Sequence, residues 1–356
     1  MIDLDLYKKL TSMYGISGHE WQVKDFVKEE LSKYSDEILE DRMGSVFGVL
    51  RGEGPKIVFA GHMDEVGFIV YQIQEDGKIK LLNIGGVTAD TYVSQNMVVV
   101  VNENKTIKGI IGAVPPHLLK GVERKPLEVS DLLLDVGAKS KDEVLSYGIK
   151  IGMQVVSEND FYVMENGKHI VSKAWDDRFG VGMAIELFKE ASKMAHPNTI
   201  ICGGTVQEEV GCRGAQTAAT LLEADAYFAI DVSPASEGCE PACGLDRGFL
   251  VRFYDPSCIM NPKLKDYIEK LAQENNIKYQ VFASSGGTDA RSFQYSKAGA
   301  LATTIGLPGR YIHTTGAIVS VDDMEAVKKI ALLIIKNLNW DTYKKIVFWW
   351  SDLWKH

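Results

Sequence analysis

Apolar segments alternate with amphipathic segments along the second half of the chain, and this alternation most strongly limits the possible folds. Residues 199–206 and 226–230 form apolar runs typical of buried strands. Residues 177–195 and 320–339 instead carry apolar side chains at helical spacing. Strands that alternate with helices favour a parallel sheet, covered by helices on both faces. We therefore predict an α/β fold with a mostly parallel sheet sandwiched by helices.

A long β-rich stretch interrupts this pattern. Between residues 67 and 165, short runs of β-branched residues are separated by turn signals such as Asp76-Gly77. Few helical periods occur there, which predicts a compact β-barrel-like module. We therefore expect two units: an α/β domain formed by residues 1–66 and 166–356, and an inserted β-rich domain formed by residues 67–165.

The composition limits the possible partners and the cellular location. The chain is 46% hydrophobic and 24% charged, as in globular proteins, and its formal net charge of −9 disfavours nucleic acid and anionic membranes as partners. We find no membrane-spanning apolar run and no secretion signal in residues 1–15. Five irregularly spaced cysteines favour reduced thiols and a cytoplasmic location, and Cys239 and Cys243 are expected to be ordinary cysteines.

Acidic residues or histidines stand at the ends of the predicted strands of the α/β domain. His62 and Asp64, for example, come directly after the apolar run 57–60. Because ligands of parallel sheets bind beyond the carboxyl ends of the strands, we expect these side chains to meet at one sheet edge. With the pair that begins the helix at 177–195, the set comprises His62, Asp64, Asp176, Asp177, Glu208, Glu209, Asp231 and His313.

Each of these residues has an ordinary explanation when it is taken alone. His62 could be a satisfied buried imidazole, and Asp176-Asp177 could cap a helix. Glu208-Glu209 could belong to a solvated loop. Their convergence favours a site for two divalent metal ions instead, because buried carboxylates must be paired or bound to metal.

The residue types suit Zn²⁺ or Co²⁺, which accept histidine nitrogen and carboxylate oxygen. We expect Asp176 to bridge two ions about 3.5–4 Å apart, because an anionic bridge offsets their repulsion. His62 and Asp231 are expected to complete the coordination of one ion. Glu209 and His313 are expected to complete that of the other.

Two further carboxylates have other expected roles. Glu208 precedes Glu209, and adjacent residues of an extended segment diverge, so we expect Glu208 to be a general base that takes a proton from an attacking water. Asp64 lies two residues from His62 on the same strand face. We expect it to accept the second N–H of that imidazole and to fix its tautomer.

At these residues the chain resembles the tetrahedral (TET), or glutamyl-aminopeptidase-type, family of exopeptidases with two catalytic metal ions. The motifs that carry the resemblance span nearly the whole chain: GHMDEVGF, KAWDDRFG, TVQEEVGCRGA, AIDVSPA, GGTDA and RYIHTTG. The resemblance implies a metal-dependent aminopeptidase acting on short peptides, with two divalent ions per subunit and Glu208 as base. It implies metal ligation by His62, Asp176, Glu209, Asp231 and His313.

The same resemblance implies structural properties that spacing and periodicity do not address. The Asp176–Asp177 peptide is expected to be cis. The inserted domain is expected to mediate dimerisation, and dimers are expected to build a hollow dodecamer. The insertion lies between Asp64 and Asp176, whereas related deacylases and carboxypeptidases carry their extra domain before the last histidine. Its position therefore favours the aminopeptidase arrangement.

The chain also departs from the family pattern. Trp175 stands where a smaller apolar residue is expected, and residues 243–249 lack the Gly-x-Gly-Pro pattern associated with this region. Asp289 and Arg291 could contact substrate or be ordinary turn and helix-start residues. The preferred N-terminal side chain therefore stays open.

Two other functions are compatible with parts of the pattern. Paired carboxylates can cleave glycosidic bonds, but a glycosidase would leave His62 and His313 without a role. A metal-stabilised scaffold without activity would leave Glu208 without one. Both alternatives explain fewer of the residues than the aminopeptidase does.

Overall fold

The computed structural model describes residues 1–114, 117, 125–158, 160–235 and 243–349. Within these residues the chain forms a 12-stranded mixed sheet, with helices on both faces, and a closed antiparallel barrel. This architecture confirms the predicted α/β fold with a β-barrel between its two halves.

The elements have the following bounds. The helices are α1 (Leu4–Ser12), α2 (Trp21–Ser32), α3 (Lys141–Ser146), α4 (Trp175–Ala191), α5 (Arg213–Leu222), α6 (Pro262–Glu274), α7 (Ala290–Gln294), α8 (Val321–Asn337) and α9 (Trp340–Val347). The barrel strands are β4 (Gly67–Ile73), β5 (Ile79–Ile84), β6 (Asn96–Asn102), β7 (Lys105–Ile111), β8 (Leu133–Asp135) and β9 (Gln154–Ser157). The sheet strands are β1 (Glu37–Glu40), β2 (Val46–Leu50), β3 (Lys56–His62), β10 (Tyr162–Val163), β11 (His169–Ser172), β12 (Thr199–Thr205), β13 (Ala226–Pro234), β14 (Phe249–Asp255), β15 (Cys258–Ile259), β16 (Tyr279–Ala283), β17 (Leu301–Arg310) and β18 (Ala317–Ser320).

The centre of the sheet is parallel and its flanks are antiparallel. β12 and β13 both run parallel to β3, and β17 runs parallel to β13. β2 pairs antiparallel with β12, and β18 pairs antiparallel with β17. The carboxyl ends of the four central strands therefore meet at one edge, where His62 pairs with Thr205 and Asp231 with Gly306.

The central strands are buried on both faces, which explains their continuous apolar sequence. Ile57 and Phe59 belong to a core formed with α1, α2, α4, α6 and α8. Val58 and Ala60, which alternate with them, belong to a second core formed with α5 and α7. Successive side chains of β3 thus point to opposite faces of the sheet, and each face packs against its own layer of helices.

Glycines allow α4 to approach the sheet closely. A Cβ atom on Gly61 would lie 2.4 Å from the backbone of Gly180 and Val181. A Cβ on Gly180 would lie 2.1 Å from the carbonyl oxygen of Ile230. This contact between β3, α4 and β13 brings the start of α4 to the strand ends.

The barrel has a hydrophobic core of its own. Phe68 and Tyr92 pack edge to face with ring centroids 4.8 Å apart, and Met97 and Val155 belong to the same buried cluster. No helix in the described part of the chain combines the length and the apolar character that crossing a membrane requires.

Four cysteines lie in the described residues, and all four are buried: Cys202, Cys212, Cys243 and Cys258. Cys239 lies outside the described residues. Cys243 donates a hydrogen bond to the carbonyl oxygen of Pro234 at 3.2 Å, as an ordinary buried cysteine does.

Candidate metal centre

Asp176 lies at the centre of the predicted cluster. Its Oδ1 is 3.1 Å from His62 Nε2, and its Oδ2 is 3.1 Å from His313 Nε2. One histidine ends β3 and the other lies in the loop after β17. A carboxylate with one oxygen directed to each imidazole has the geometry that a bridge between two cations needs.

The other expected ligands surround this carboxylate. Glu209 Oε1 lies 3.4 Å from His313 Nε2. Asp231, on β13, lies on the side of His62. Two groups of residues each place one ligand atom per residue within 4.8 Å of the others: His62, Asp176 and Glu209, and His62, Asp177 and Asp231. The structure thus brings all five expected ligands to one sheet edge.

Asp177 is the member that sequence analysis did not assign. Its Oδ2 accepts the backbone N–H of His62 at 3.0 Å, and its Oδ1 accepts that of Gly180 at 2.9 Å. Each oxygen therefore already accepts a hydrogen bond from the protein backbone. Asp177 fastens α4 to β3, and we do not count it as a metal ligand despite its proximity to Asp231.

Asp64 contacts the imidazole as expected, and it does more. His62 Nδ1 lies 3.1 Å from the carbonyl oxygen of Asp64 and 3.3 Å from its carboxylate Oδ1. The same carboxylate accepts the backbone N–H groups of Glu208, at 3.0 Å, and Glu209, at 3.1 Å. Asp64 therefore connects a histidine with the loop that carries the two glutamates.

Glu208 faces the same space from the loop after β12. Its Oε2 is 3.9 Å from His62 Nε2, and its Oε1 accepts a hydrogen bond from the Cys212 thiol at 3.2 Å. Burial and the nearby carboxylates raise the pKa of Glu208 well above its usual range. A carboxyl group with a raised pKa is suited to take up and hold a proton.

The electrostatics of the cluster fit a pair of divalent cations. Burial, followed by the charge of Asp176, raises the pKa of Glu209 to about 8 and that of Asp231 to about 7. Glu209 Oε1 is buried and accepts no hydrogen bond. Buried carboxylates without cationic partners are unfavourable, and cations bound here would compensate them. Together with two imidazoles, this donor set suits Zn²⁺ or Co²⁺.

The backbone around the site is unusual. Five non-glycine residues near it have left-handed φ angles: Ala174 (53°), Gln207 (56°), Cys212 (53°), Tyr311 (60°) and His313 (61°). Such conformations persist where the surroundings enforce them, and they concentrate at functional sites. The Asp176–Asp177 peptide is cis, as the resemblance implied.

The barrel also reaches the site. His313 Nδ1 lies 2.8 Å from the carbonyl oxygen of Gly86, in the segment after β5. Thr315, two residues further, donates a hydrogen bond to the side chain of Gln95 at 3.2 Å. Two contacts from the barrel therefore hold the loop that carries His313.

Residues 15–20 also contribute to the site, and no sequence motif indicated that they would. The Ser17 hydroxyl donates to Asp64 Oδ2 at 2.6 Å, and Glu20 Oε1 accepts the backbone N–H of Gln207 at 3.0 Å. Ser17 and Glu20 are both buried. The sequence offered no signal for these roles, because nothing local indicates what a loop side chain contacts across the fold.

The sequence left the roles of Trp175 and Asp289 undecided, and the contacts of both residues are with other parts of the protein. Trp175 is fully buried and packs against Tyr7 and Phe161, with centroid distances of 6.0 and 5.9 Å. Asp289 precedes α7, but its side chain accepts a hydrogen bond from the Thr205 hydroxyl.

The amino-acid sequence matches the family model of the M42 glutamyl aminopeptidases over residues 44–330. The glutamyl aminopeptidase of Lactococcus lactis subsp. cremoris (strain MG1363) is 35% identical to this chain over 348 residues. The alignment covers 96% of this chain and 98% of that relative.

Solved structures show the same similarity. The TET aminopeptidase from the marine sediment archaeon Thaumarchaeota archaeon SCGC AB-539-E09 is 34% identical, with a TM-score of 0.93 over 97% of this chain and 98% of its own. The TET1 peptidase of Pyrococcus horikoshii is 30% identical, with a TM-score of 0.86 over 94% of this chain and 99% of its own. That peptidase can assemble into a tetrahedron or a large octahedral shell.

Proposed function

Because this chain belongs to the M42 glutamyl aminopeptidase family, we propose that this metal-dependent aminopeptidase removes single N-terminal residues from short peptides with two divalent cations at the cluster around Asp176. The observation that carries the proposal is the Asp176 carboxylate, whose two oxygens each lie 3.1 Å from a different imidazole, those of His62 and His313. Zinc and cobalt are the proposed ions, because the donors combine imidazole nitrogen and carboxylate oxygen.

We assign His62 and Asp231 to one ion, and Glu209 and His313 to the other, with Asp176 between them. When bound, the ions supply Lewis acidity for the scissile carbonyl and for the attacking water.

Glu208 carries out the proton transfer in this proposal. Its carboxylate takes a proton from the attacking water and delivers it to the amine that leaves. Two observations support this role: its Oε2 lies 3.9 Å from His62 Nε2, beside the proposed ligands, and burial raises its pKa. Asp64 orients the imidazole of His62 and holds the backbone of Glu208 and Glu209.

The substrates reach the site from the side of His313, whose side chain is 34% exposed, whereas that of Asp176 is 10% exposed. Glutamyl substrates are the first to test, because the Lactococcus lactis relative is a glutamyl aminopeptidase. Glutamyl, aspartyl, leucyl, alanyl and lysyl p-nitroanilides, each assayed with Zn²⁺, Co²⁺ and Mn²⁺, establish the preference.

We also propose that the β-rich domain at 67–165 forms a dimer contact and that the dimers build a dodecamer in the cytoplasm. The support for the assembly is that the Pyrococcus horikoshii peptidase can form a tetrahedron, and the support for the cytoplasm is the irregular spacing of the five cysteines of this chain. Light scattering should then give a mass twelve times the 39.4 kDa of one chain. A monomer at all concentrations would contradict this assembly.

A Glu208→Gln variant tests the catalytic assignment. We expect turnover to fall by about 10²–10⁴-fold, because the amide cannot accept the proton, while two metal ions per chain remain bound. The measurements are steady-state kinetics and metal content by plasma mass spectrometry. The matched control is Glu223→Gln, whose exposed carboxylate pairs with Lys297, and it should behave as wild type.

Two outcomes would contradict the assignment. Unchanged turnover in the Glu208→Gln variant would exclude Glu208 as the base, and loss of a metal ion would make it a ligand instead. Chelation separates the glycosidase alternative: EDTA should abolish peptide cleavage, whereas a two-carboxylate glycosidase would keep its activity on glucans.

A further inference from the structure

Two buried carboxylates hold three successive backbone N–H groups in the loop after β12. Glu20 Oε1 accepts the N–H of Gln207 at 3.0 Å. Asp64 accepts the next two, those of Glu208 at 3.0 Å and Glu209 at 3.1 Å. Glu20 is 5% exposed and Asp64 is fully buried, so neither bond competes with bulk water. The backbone of this loop is therefore fixed by two acids from distant parts of the sequence.

Gln207, whose backbone N–H donates to Glu20, has a strained backbone conformation. Gln207 has a φ angle of 56°, in the left-handed region that a residue with a Cβ atom rarely adopts. Its ψ angle sets the direction of the following peptide, which carries Glu208. We expect that without this bond Gln207 leaves the left-handed conformation more readily, which changes the direction in which the following residue, Glu208, presents its side chain.

Glu20 is itself held in place. It lies at the N-terminus of α2, where its carbonyl oxygen accepts the N–H of Lys24 at 2.9 Å. The preceding segment is anchored to the end of β3, because the N–H of Glu65 donates to the carbonyl oxygen of Gly15 at 2.9 Å. The segment also donates to the site through Ser17, whose hydroxyl binds Asp64. The carboxylate is thus presented from a fixed support.

We propose that Glu20 is a positioning residue for the proposed peptide hydrolysis. Its carboxylate fixes the backbone of Gln207, and thereby the direction in which Glu208 presents its carboxylate as the base. Glu20 contacts neither substrate nor metal in this arrangement. The inference rests on the role proposed above for Glu208.

Two variants of similar size separate the hydrogen bond from the packing. Glu20→Met fills the same space but offers no oxygen to Gln207, whereas Glu20→Gln keeps a side-chain oxygen. We expect kcat of Glu20→Met to fall by about 10–100-fold with little change in KM, because small misplacements of a catalytic group slow the reaction that strongly. Glu20→Gln should recover most of this loss.

Asp323→Ala is the matched control. Asp323 is also a buried carboxylate on backbone N–H groups, those of Asp246 at 2.8 Å and Gly248 at 2.7 Å, but it lies at the start of α8 and contacts no proposed site residue. Its loss should lower the unfolding midpoint and leave kcat unchanged.

Amide hydrogen exchange gives a readout that does not depend on activity. In Glu20→Met, amides of residues 207–213 should exchange faster than in wild type, and in Asp323→Ala they should not. A kcat of Glu20→Met equal to that of Asp323→Ala, or unchanged exchange in the loop, would overturn the inference. If Glu208→Gln is inactive while Glu20→Met is fully active, only the inference about Glu20 fails. If the wild-type protein cleaves no peptide, the proposed function fails. In that case hydrogen exchange still tests whether Glu20 holds the loop.

Discussion

Three charged side chains are buried together beneath the site and connect its parts. Lys173 Nζ lies 2.7 and 2.6 Å from the two carboxylate oxygens of Glu65, and Arg178 Nη2 lies 3.3 Å from one of them. Arg178 also donates to three backbone carbonyl groups between residues 10 and 15. Glu65 follows Asp64, so this network joins the end of β3, the start of α4 and the N-terminal segment.

Replacing Glu65 should therefore strongly destabilise the protein. In a Glu65→Leu variant, Lys173 and Arg178 remain buried without their anion, and we expect the free energy of unfolding to fall by about 3–5 kcal/mol. Chemical denaturation measures this change. The control is Glu223→Ala, which breaks an exposed ion pair with Lys297 and should change the stability far less, because exposed ion pairs contribute little. Equal effects of the two variants would show that the buried network adds nothing.

The residues of the site were predictable to different degrees for physical reasons. Those near the carboxyl ends of buried parallel strands, such as His62 on β3 and Asp231 on β13, could be assigned to one edge because parallel strands end together. Glu20 and Asp177 could not be assigned their roles. Their importance comes from backbone N–H groups that they contact across the fold, and a sequence pattern does not show such contacts.

Among the elements, α4 has the closest relation to the site. Its first turn carries Asp176 and Asp177, whose backbone angles are not helical, and the helix continues regularly behind them. The glycines at positions 61 and 180 let its backbone touch β3. The position of the bridging carboxylate therefore depends on this backbone contact.

A Gly61→Ala variant should disturb both stability and metal binding. The added methyl group would lie 2.4 Å from the backbone of Gly180 and 2.6 Å from Asp177 Oδ2, so α4 must move away from the sheet. We expect a loss of about 1–3 kcal/mol in unfolding free energy, as for other overpacked cores, together with weaker metal retention.

Denaturation and metal analysis of the purified variant measure the two effects. Gly112→Ala is the control, because no atom of the residues that the structure describes lies within 4 Å of the position of its added methyl group. A Gly61→Ala protein with wild-type stability and metal content would show that α4 adjusts freely, and would contradict the proposed dependence on close packing.

The central strands of the sheet and the helices packed on them were predictable from the sequence. The antiparallel orientation of the flanking strands was not. The segments 177–195 and 320–339 correspond to α4, Trp175–Ala191, and α8, Val321–Asn337. The flanking strands, β2 and β18, pair antiparallel with their neighbours. A buried apolar run has the same composition in either direction, so the hydrophobic pattern identifies a strand without giving its orientation.

On the scale of the whole molecule, the barrel and the α/β body share one site. The barrel is inserted directly after the strand that carries His62, and it contacts the loop of His313 through Gly86 and Gln95. The position of the His313 imidazole, which faces Asp176, therefore depends on how the barrel is seated. The barrel is a structural part of the proposed metal centre as well as the proposed dimer contact.

Removal of the metal ions should lower the stability of the entire protein. The chain carries a formal net charge of −9, and several carboxylates are buried together at the sheet edge, where bound cations would compensate their charge. At 100 to 1,000 times the dissociation constant, a ligand that binds only the folded state adds about 3–4 kcal/mol. Tm measured by calorimetry should therefore fall after EDTA treatment and dialysis, and rise again with Zn²⁺ or Co²⁺. In an Asp176→Asn variant, which lacks the bridging charge, most of this change in Tm between the metal-free and the metal-loaded protein should disappear. A wild-type Tm that is the same with and without bound metal would contradict the assignment of this cluster as the metal centre.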